Sequence, residues 1–332
     1  MSRLSAAAAL AALLAAHPVA ADPGIDPLTW LQRAADSARQ ATYAGTIMHM
    51  QGERSATSRI THVFLAGSEI ERIESLDGPR REIVRRDDQL QCYFPDAKTI
   101  RYDRRVSARF FPSIVAGPVE AIAQNYKVAL GNIERVLGQD CQWIHLDPKD
   151  ALRYAQRLCA EVGSGLLLRA KTLGPKNEVL ELYAFTDLRM GRDVPRGEVK
   201  SAFVAQSKGW RREGESAAGK PAPGASGWAV EAPPSGFRLV SEMQRHLPKR
   251  SQPVTQLVLS DGLATMSVFV EPIAGAQRSA EVTSADGALS VYRMPMGEHL
   301  VTVLGEVPPE AAQQVGRSVA RRSGAETAAA AR

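Results

Sequence analysis

The chain has 332 residues, 44% of them hydrophobic and 23% charged, with three cysteines and a formal net charge of +5. That composition is globular and long enough for two domains, and it excludes a multi-span membrane protein, a collagen and a small disulfide scaffold. Arginine outnumbers lysine 32 to 9, so the positive charge sits on guanidinium forks that match carboxylates and phosphates.

Residues 1–21 carry one basic residue (Arg3), an apolar stretch from Leu4 to Ala16, then Pro18 and the small residues Val19, Ala20 and Ala21. This is the layout of a secretory signal peptide cleaved near Ala21, and its apolar stretch falls short of the roughly 20 residues that span a bilayer. The expectation is a soluble mature protein in a bacterial periplasm. Asp26-Pro27 is a helix start, and Leu28, Leu31, Ala35 and Ala38 form one apolar stripe on a helix ending near Tyr43. Short β-rich runs follow at 43–51, 57–66, 69–76, 80–87, 89–94 and 99–103. Gly117-Pro118 opens a second helix with Val119, Ile122, Ala123 and Tyr126 on one face. Further strands are expected at 127–137, 140–147, 152–161, 165–173 and 178–188. Helices laid over meandering antiparallel strands make an α+β domain over 22–207, and the lack of βαβ alternation argues against a doubly wound nucleotide fold.

Between Glu213 and Gly227, twelve of fifteen residues are Gly, Pro, Ser or Ala, which marks a flexible linker within 208–236. A smaller β-rich domain spans 237–322. Its strands are expected at 237–245, 254–260, 264–271, 287–293 and 298–306, with an Asp261-Gly262 hairpin turn and a helix from Pro309 to Arg321. The tail 323–332 is Ala-rich and expected to fray.

The six histidines are scattered, and His49, His62 and His145 lie inside strands where a structural role fits best. No zinc, P-loop, dinucleotide or nucleophile-elbow pattern occurs, so the reading is a non-enzyme with no catalytic residues, metal ligands or cofactor. The strands 140–147 and 152–161 form a hairpin centred on Asp150 if opposed residue numbers sum to 300. That register pairs Asp147 with Arg153, Trp143 with Arg157 and Cys141 with Cys159, and so predicts a Cys141–Cys159 disulfide in an oxidising compartment. Cys92, in an apolar Cys-Tyr-Phe strand, reads as core. From Arg80 to Arg109 eight arginines and one lysine face five acidic residues. Arg85, Arg86, Arg101, Arg104 and Arg105 are candidates for an acidic peptide or an anionic headgroup; the alternative is a solvated face paired to Glu82, Asp87 and Asp103. Nucleic acid is an improbable partner for an exported chain. The apolar run 109–119 is either a lid over a hydrophobic cavity, through Phe110, Phe111, Ile114 and Val115, or a buried loop.

The runs Arg59-Ile-Thr-His-Val63, Glu71-Arg-Ile-Glu-Ser-Leu-Asp-Gly-Pro79, Glu82-Ile-Val-Arg-Arg86 and Gln91-Cys-Tyr-Phe-Pro-Asp96 resemble the N-terminal domain of the RseB/MucB family. Ser260-Asp-Gly-Leu-Ala264, Ser267-Val-Phe-Val-Glu-Pro272, Gly297-Glu-His-Leu-Val301 and Gly305-Glu-Val-Pro308 resemble its second domain. The resemblance implies an unclosed antiparallel β-barrel plugged by helices, like a lipoprotein carrier, followed by a smaller β-rich domain with a helix. It implies a periplasmic negative regulator of the envelope-stress sigma factor. Such a protein binds the periplasmic part of a single-span anti-sigma factor and shields it from proteolysis, is released by lipid or lipopolysaccharide acyl chains, and tends to self-associate. Candidate anti-sigma contacts are Phe269, Val270, Val301 and Val303. The competing reading is a periplasmic lipid or lipoprotein carrier, which would lack the second domain.

Overall fold

A computed structural model describes residues 26–104, 110–214, 226–245, 252–273 and 280–322. The expected signal peptide, the Ala-rich tail, residues 215–225 of the expected linker and Arg105 lie outside the described residues, as does the Arg104 side chain.

Helix α1 (Pro27–Gln40) starts where its cap dictates: the Asp26 carboxylate accepts the Leu28 and Thr29 amides at 2.9 and 3.3 Å, with Pro27 in the first turn. Its buried face is Trp30, Leu31, Ala34, Ala35 and Ala38. The strands that follow are β1 (Tyr43–Gln51), β2 (Arg54–Leu65), β3 (Ser68–Ser75), β4 (Glu82–Arg86), β5 (Gln89–Phe94) and β6 (Thr99–Arg104). After α2 (Val119–Asn125) come β7 (Tyr126–Val136), β8 (Gln139–Pro148), β9 (Ala155–Glu161), β10 (Leu167–Leu173), β11 (Val179–Met190) and β12 (Arg211–Glu213). They form one twelve-stranded sheet in the order β12-β6-β5-β4-β3-β2-β1-β11-β10-β9-β8-β7. Pairing of β1 with β11 joins two meanders, and β12 and β7 remain as edges, so the curved sheet is an unclosed barrel. A bulge at Thr46/Ile47 bends the central pair. Gly45 sits beside it because a Cβ there would collide with the Asp187 carbonyl. The concave face holds α1, α2, Tyr43, Ile60, Ile144, Leu146, Leu158 and Phe185 in one core.

The second domain contains β13 (Trp228–Val230), β14 (Arg238–Arg245), β15 (Val254–Ser260), β16 (Thr265–Pro272), β17 (Val282–Asp286), β18 (Leu289–Met296), β19 (His299–Gly305), α3 (Pro309–Arg317) and β20 (Val319–Arg321). Six strands pair in the order β14-β15-β16-β19-β18-β17, and β13 pairs with β20. Helix α3 covers the sheet over a core of Leu257, Leu259, Met266, Val268, Tyr292, Val301, Val303, Ala312 and Val315.

Three local expectations are corrected. The last helix ends at Arg317 rather than Arg321, because Val319–Arg321 pairs with the distant Trp228–Val230. Strand β17, followed by its own Asp286-Gly287 turn, adds an edge that the sequence reading passed over. In the β8–β9 hairpin the opposed numbers sum to 302, not 300: Trp143 faces Cys159 and His145 faces Arg157. Cys141 and Cys159 nevertheless form a disulfide, as diagonal neighbours with Cα atoms 5.5 Å apart. The expected Asp147–Arg153 pair is replaced by Asp147–Arg157 at 2.6 Å, and Lys171 rather than Arg157 lies over the Trp143 ring. Both described ends of the segment read as a linker carry strands, β12 beside β6 and β13 beside β20. Among the described residues no helix is long and apolar enough to cross a membrane.

Candidate functional site

The open side of the barrel is stopped by the loop 110–118. Phe111 is buried, its ring 5.7 Å from Tyr183 and 5.3 Å from Phe185. Val115 is buried beside it, and Ile114 packs on the same core. The Ser113 hydroxyl donates to the Ala38 carbonyl at 3.3 Å, tying the loop to the end of α1. Phe110, by contrast, is 46% exposed. The apolar run is therefore a plug inside the curved sheet, with Phe110 alone of the four candidates facing water. An apolar ligand entering this interior would have to displace Phe111 and Val115.

The second domain docks against the plug. The Ala116 and Gly117 amides donate to the Gly262 carbonyl at 2.8 and 3.2 Å. This approach needs glycine on both sides, since a Cβ on Gly117 would lie 2.8 Å from the Gly262 Cα and Gly262 itself has φ +100°. Leu263 packs on the first domain's core, and Leu152 on the second's. At the centre of the seam Arg153 is wholly buried, bonded to Asp261 at 2.8 Å, to Asp150 at 3.0 Å and to the Ser235 carbonyl. The Tyr126 hydroxyl donates to the same Asp261 oxygen at 3.2 Å, and burial together with that carboxylate pushes the phenol well above its ordinary value. The sequence reading missed this cluster. Arg153 had a plausible local partner in Asp147, and Asp261 looked like an ordinary turn residue.

The arginine candidates separate. Arg85 is 2% exposed and is held by Glu69 at 2.6 Å and Glu71 at 3.2 Å, so it is a structural cation with no surface to offer a partner. Arg101 is half exposed, pairs with Glu213 and lies over Phe94. Arg86 faces solvent. Cys92 is half-buried, and burial pushes its thiol up, away from the reactive thiolate.

His62 is structural: it is buried, stacked on Tyr43 at 4.8 Å, and its Nδ1 lies 2.7 Å from the Ala41 carbonyl. Burial lowers its proton affinity. The unfolded chain therefore takes up a proton that the folded chain declines, and stability present above pH 6.5 falls as the pH drops below that value. Urea midpoints at pH 7.5 and pH 5 should converge in His62→Gln relative to the unaltered chain. Parallel shifts would contradict this.

In the second domain, the four candidate contacts fall on two opposite faces of the sheet. Val270, Val301 and Val303 are 1%, 0% and 0% exposed and belong to the core under α3. Strand alternation turns Phe269 to the opposite face, where it is half-buried opposite Gln256 and Thr302. On the surface of this domain a cavity of about 310 Å³ is lined by Trp228, Met296, His299 and Arg321, with the Arg321 guanidinium 4.5 Å over the Trp228 ring.

Residues 26–203 match the MucB/RseB N-terminal domain, and residues 222–320 match the MucB/RseB C-terminal domain. The chain belongs to the MucB/RseB family. Sigma factor AlgU regulatory protein MucB of Pseudomonas aeruginosa is 31% identical over 307 residues, 91% of this chain and 93% of that protein. Sigma-E factor regulatory protein RseB of Salmonella typhimurium is 24% identical over 322 residues, 94% of this chain and 96% of its own. The solved Pseudomonas aeruginosa MucA/MucB complex is similar with a TM-score of 0.71 at 28% identity, covering 90% of this chain and 99% of that one. A second structure, MucB in complex with MucA(peri), gives a TM-score of 0.70 at 29% identity over 90% of this chain and 100% of that one. These MucB/RseB likenesses run through both domains.

Proposed function

We propose that this chain is a periplasmic negative regulator of an envelope-stress sigma factor. It binds the periplasmic part of a membrane anti-sigma factor and shields that segment from regulated proteolysis. The observation that carries this reading is the two-domain likeness to MucB in its complexes with MucA, supported by relatives named as sigma factor regulators. Inhibition of this kind needs no bond-making chemistry: ordering an exposed segment on a surface removes it from a protease. Release by a lipid or lipopolysaccharide acyl chain is part of the proposal, since the interior behind the plug is lined by apolar side chains that such a chain could replace. By linkage, the anti-sigma segment must weaken acyl-chain binding by the same factor by which the acyl chain weakens the complex.

The carrier reading gives no role to a second domain docked on the barrel's plug. Calorimetric titration of the purified chain with the periplasmic domain of its anti-sigma factor should give a one-to-one complex at micromolar concentration or tighter. No heat and no co-elution at that concentration would remove the proposal.

A further inference from the structure

We propose that Arg153 is a positioning residue that makes the plug loop 110–118 and the second domain's 261–264 turn move as one body, so that displacement of Phe111 is passed across the seam. The cluster bridges three parts of the chain. Arg153 leaves the β8–β9 hairpin, lies with its guanidinium 5.6 Å from the Tyr126 ring and 5.2 Å from the Phe237 ring, and meets Asp261 with both side chains 0% exposed. One Asp261 oxygen takes Arg153 and Tyr126; the other accepts the Leu263 and Ala264 amides at 3.0 and 2.8 Å. The carboxylate that receives the arginine therefore also shapes the turn whose Gly262 carbonyl holds Ala116 and Gly117. Those two residues end the segment that buries Phe111 and Val115.

Two other ion pairs across the seam, among the described residues, do not serve this role. Arg54–Asp286 is largely exposed, with side chains 80% and 45% accessible, and Arg245–Asp103 is about one-third accessible on each side. Pairs so wetted contribute little and tolerate sliding. A desolvated fork with several fixed partners tolerates only one placement, which is the best-attested use of a buried pair. Under the regulator reading, on which this consequence rests, an acyl chain that evicts Phe111 would shift the second domain.

Hydrogen–deuterium exchange on the whole chain without its signal peptide tests the inference and needs no partner, so its outcome is independent of the regulator reading. Phe111→Ala should speed exchange at least about fivefold in peptides covering 258–266, while peptides from 289–305 stay unchanged. In the doubly apolar background Arg153→Met/Asp261→Leu, which removes both fully buried charges and leaves only the one-third accessible Asp150 to be solvated, Phe111→Ala should have no further effect on 258–266. If Phe111→Ala loosens the whole barrel, Phe111→Leu supplies the same comparison with less lost volume. Unchanged exchange at 258–266 in the otherwise native chain would overturn the inference. So would an equal response in the apolar background, or a uniform rise in both domains.

Discussion

Arg153→Met alone is expected to lower the free energy of unfolding by about 3–5 kcal/mol, because it strands the Asp261 carboxylate in a site with no solvent contact. The cause is the abandoned charge rather than the lost attraction. Asp261 would keep the Tyr126 hydroxyl and two backbone amides but lose its counter-ion. Asp261→Leu should be comparably harmful, since it leaves Arg153 with Asp150 and the Ser235 carbonyl only. The double replacement Arg153→Met/Asp261→Leu should recover most of the loss, as apolar side chains of similar volume often match or exceed a buried ion pair. Urea unfolding of the four proteins measures this cycle. A single variant within about 1 kcal/mol of the unaltered chain would mean that the pair is hydrated in solution and that the domains do not dock as described.

Cys141→Ser should cost about 3 kcal/mol under oxidising conditions, the loop-closure value for a bond across 18 residues of sequence. The bond joins β8 and β9 inside a small buried cluster with Val136, Trp143 and Leu168. Its loss also loosens the hairpin from which Arg153 departs. Adding a reductant to the unaltered chain should reproduce the destabilisation, whereas Cys92→Ser should leave the unfolding midpoint close to that of the parent. Identical midpoints for Cys141→Ser and the parent in oxidising buffer would show that the thiols are free.

Much of the fold was legible because the punctuation is local. Asp26-Pro27, Gly117-Pro118 and Asp261-Gly262 mark the ends of elements, and the strands expected between such marks lie within about three residues of the observed ones. The errors arose where a distant segment overrides a local pattern. Arg153 was assigned to Asp147 by hairpin arithmetic, but Asp261 draws it across the seam. Asp150, bonded to the Leu152 amide and to Arg153, then builds a wider turn and shifts the register by two. The cysteines tolerate that shift because a diagonal pair still brings their Cα atoms to 5.5 Å.

The site was less legible than the fold. Phe269 and Val270 are consecutive on a strand and must face opposite sides, so no single surface holds both. Val270, Val301 and Val303 share the β16–β19 ladder under α3, and that shared face is core. Arg85 belonged to a run that looked like a basic surface, yet Glu69 and Glu71 on the neighbouring strand bury its charge. An arginine-rich strand reads the same way whether its partners are solvent or a buried carboxylate one strand away. The domain seam was invisible for the same reason: its members come from 116–126, 150–153, 235–237 and 261–264, and only the docked domains bring them together.

Shielding of the anti-sigma factor from regulated proteolysis can be measured directly. The periplasmic domain of the cognate anti-sigma factor is incubated with the first protease of the cleavage cascade, with and without a stoichiometric excess of this chain. Cleavage should slow at least about tenfold when the chain is present, and an acyl lipid that binds the chain should restore it. An unchanged cleavage rate at chain concentrations well above micromolar would contradict the account.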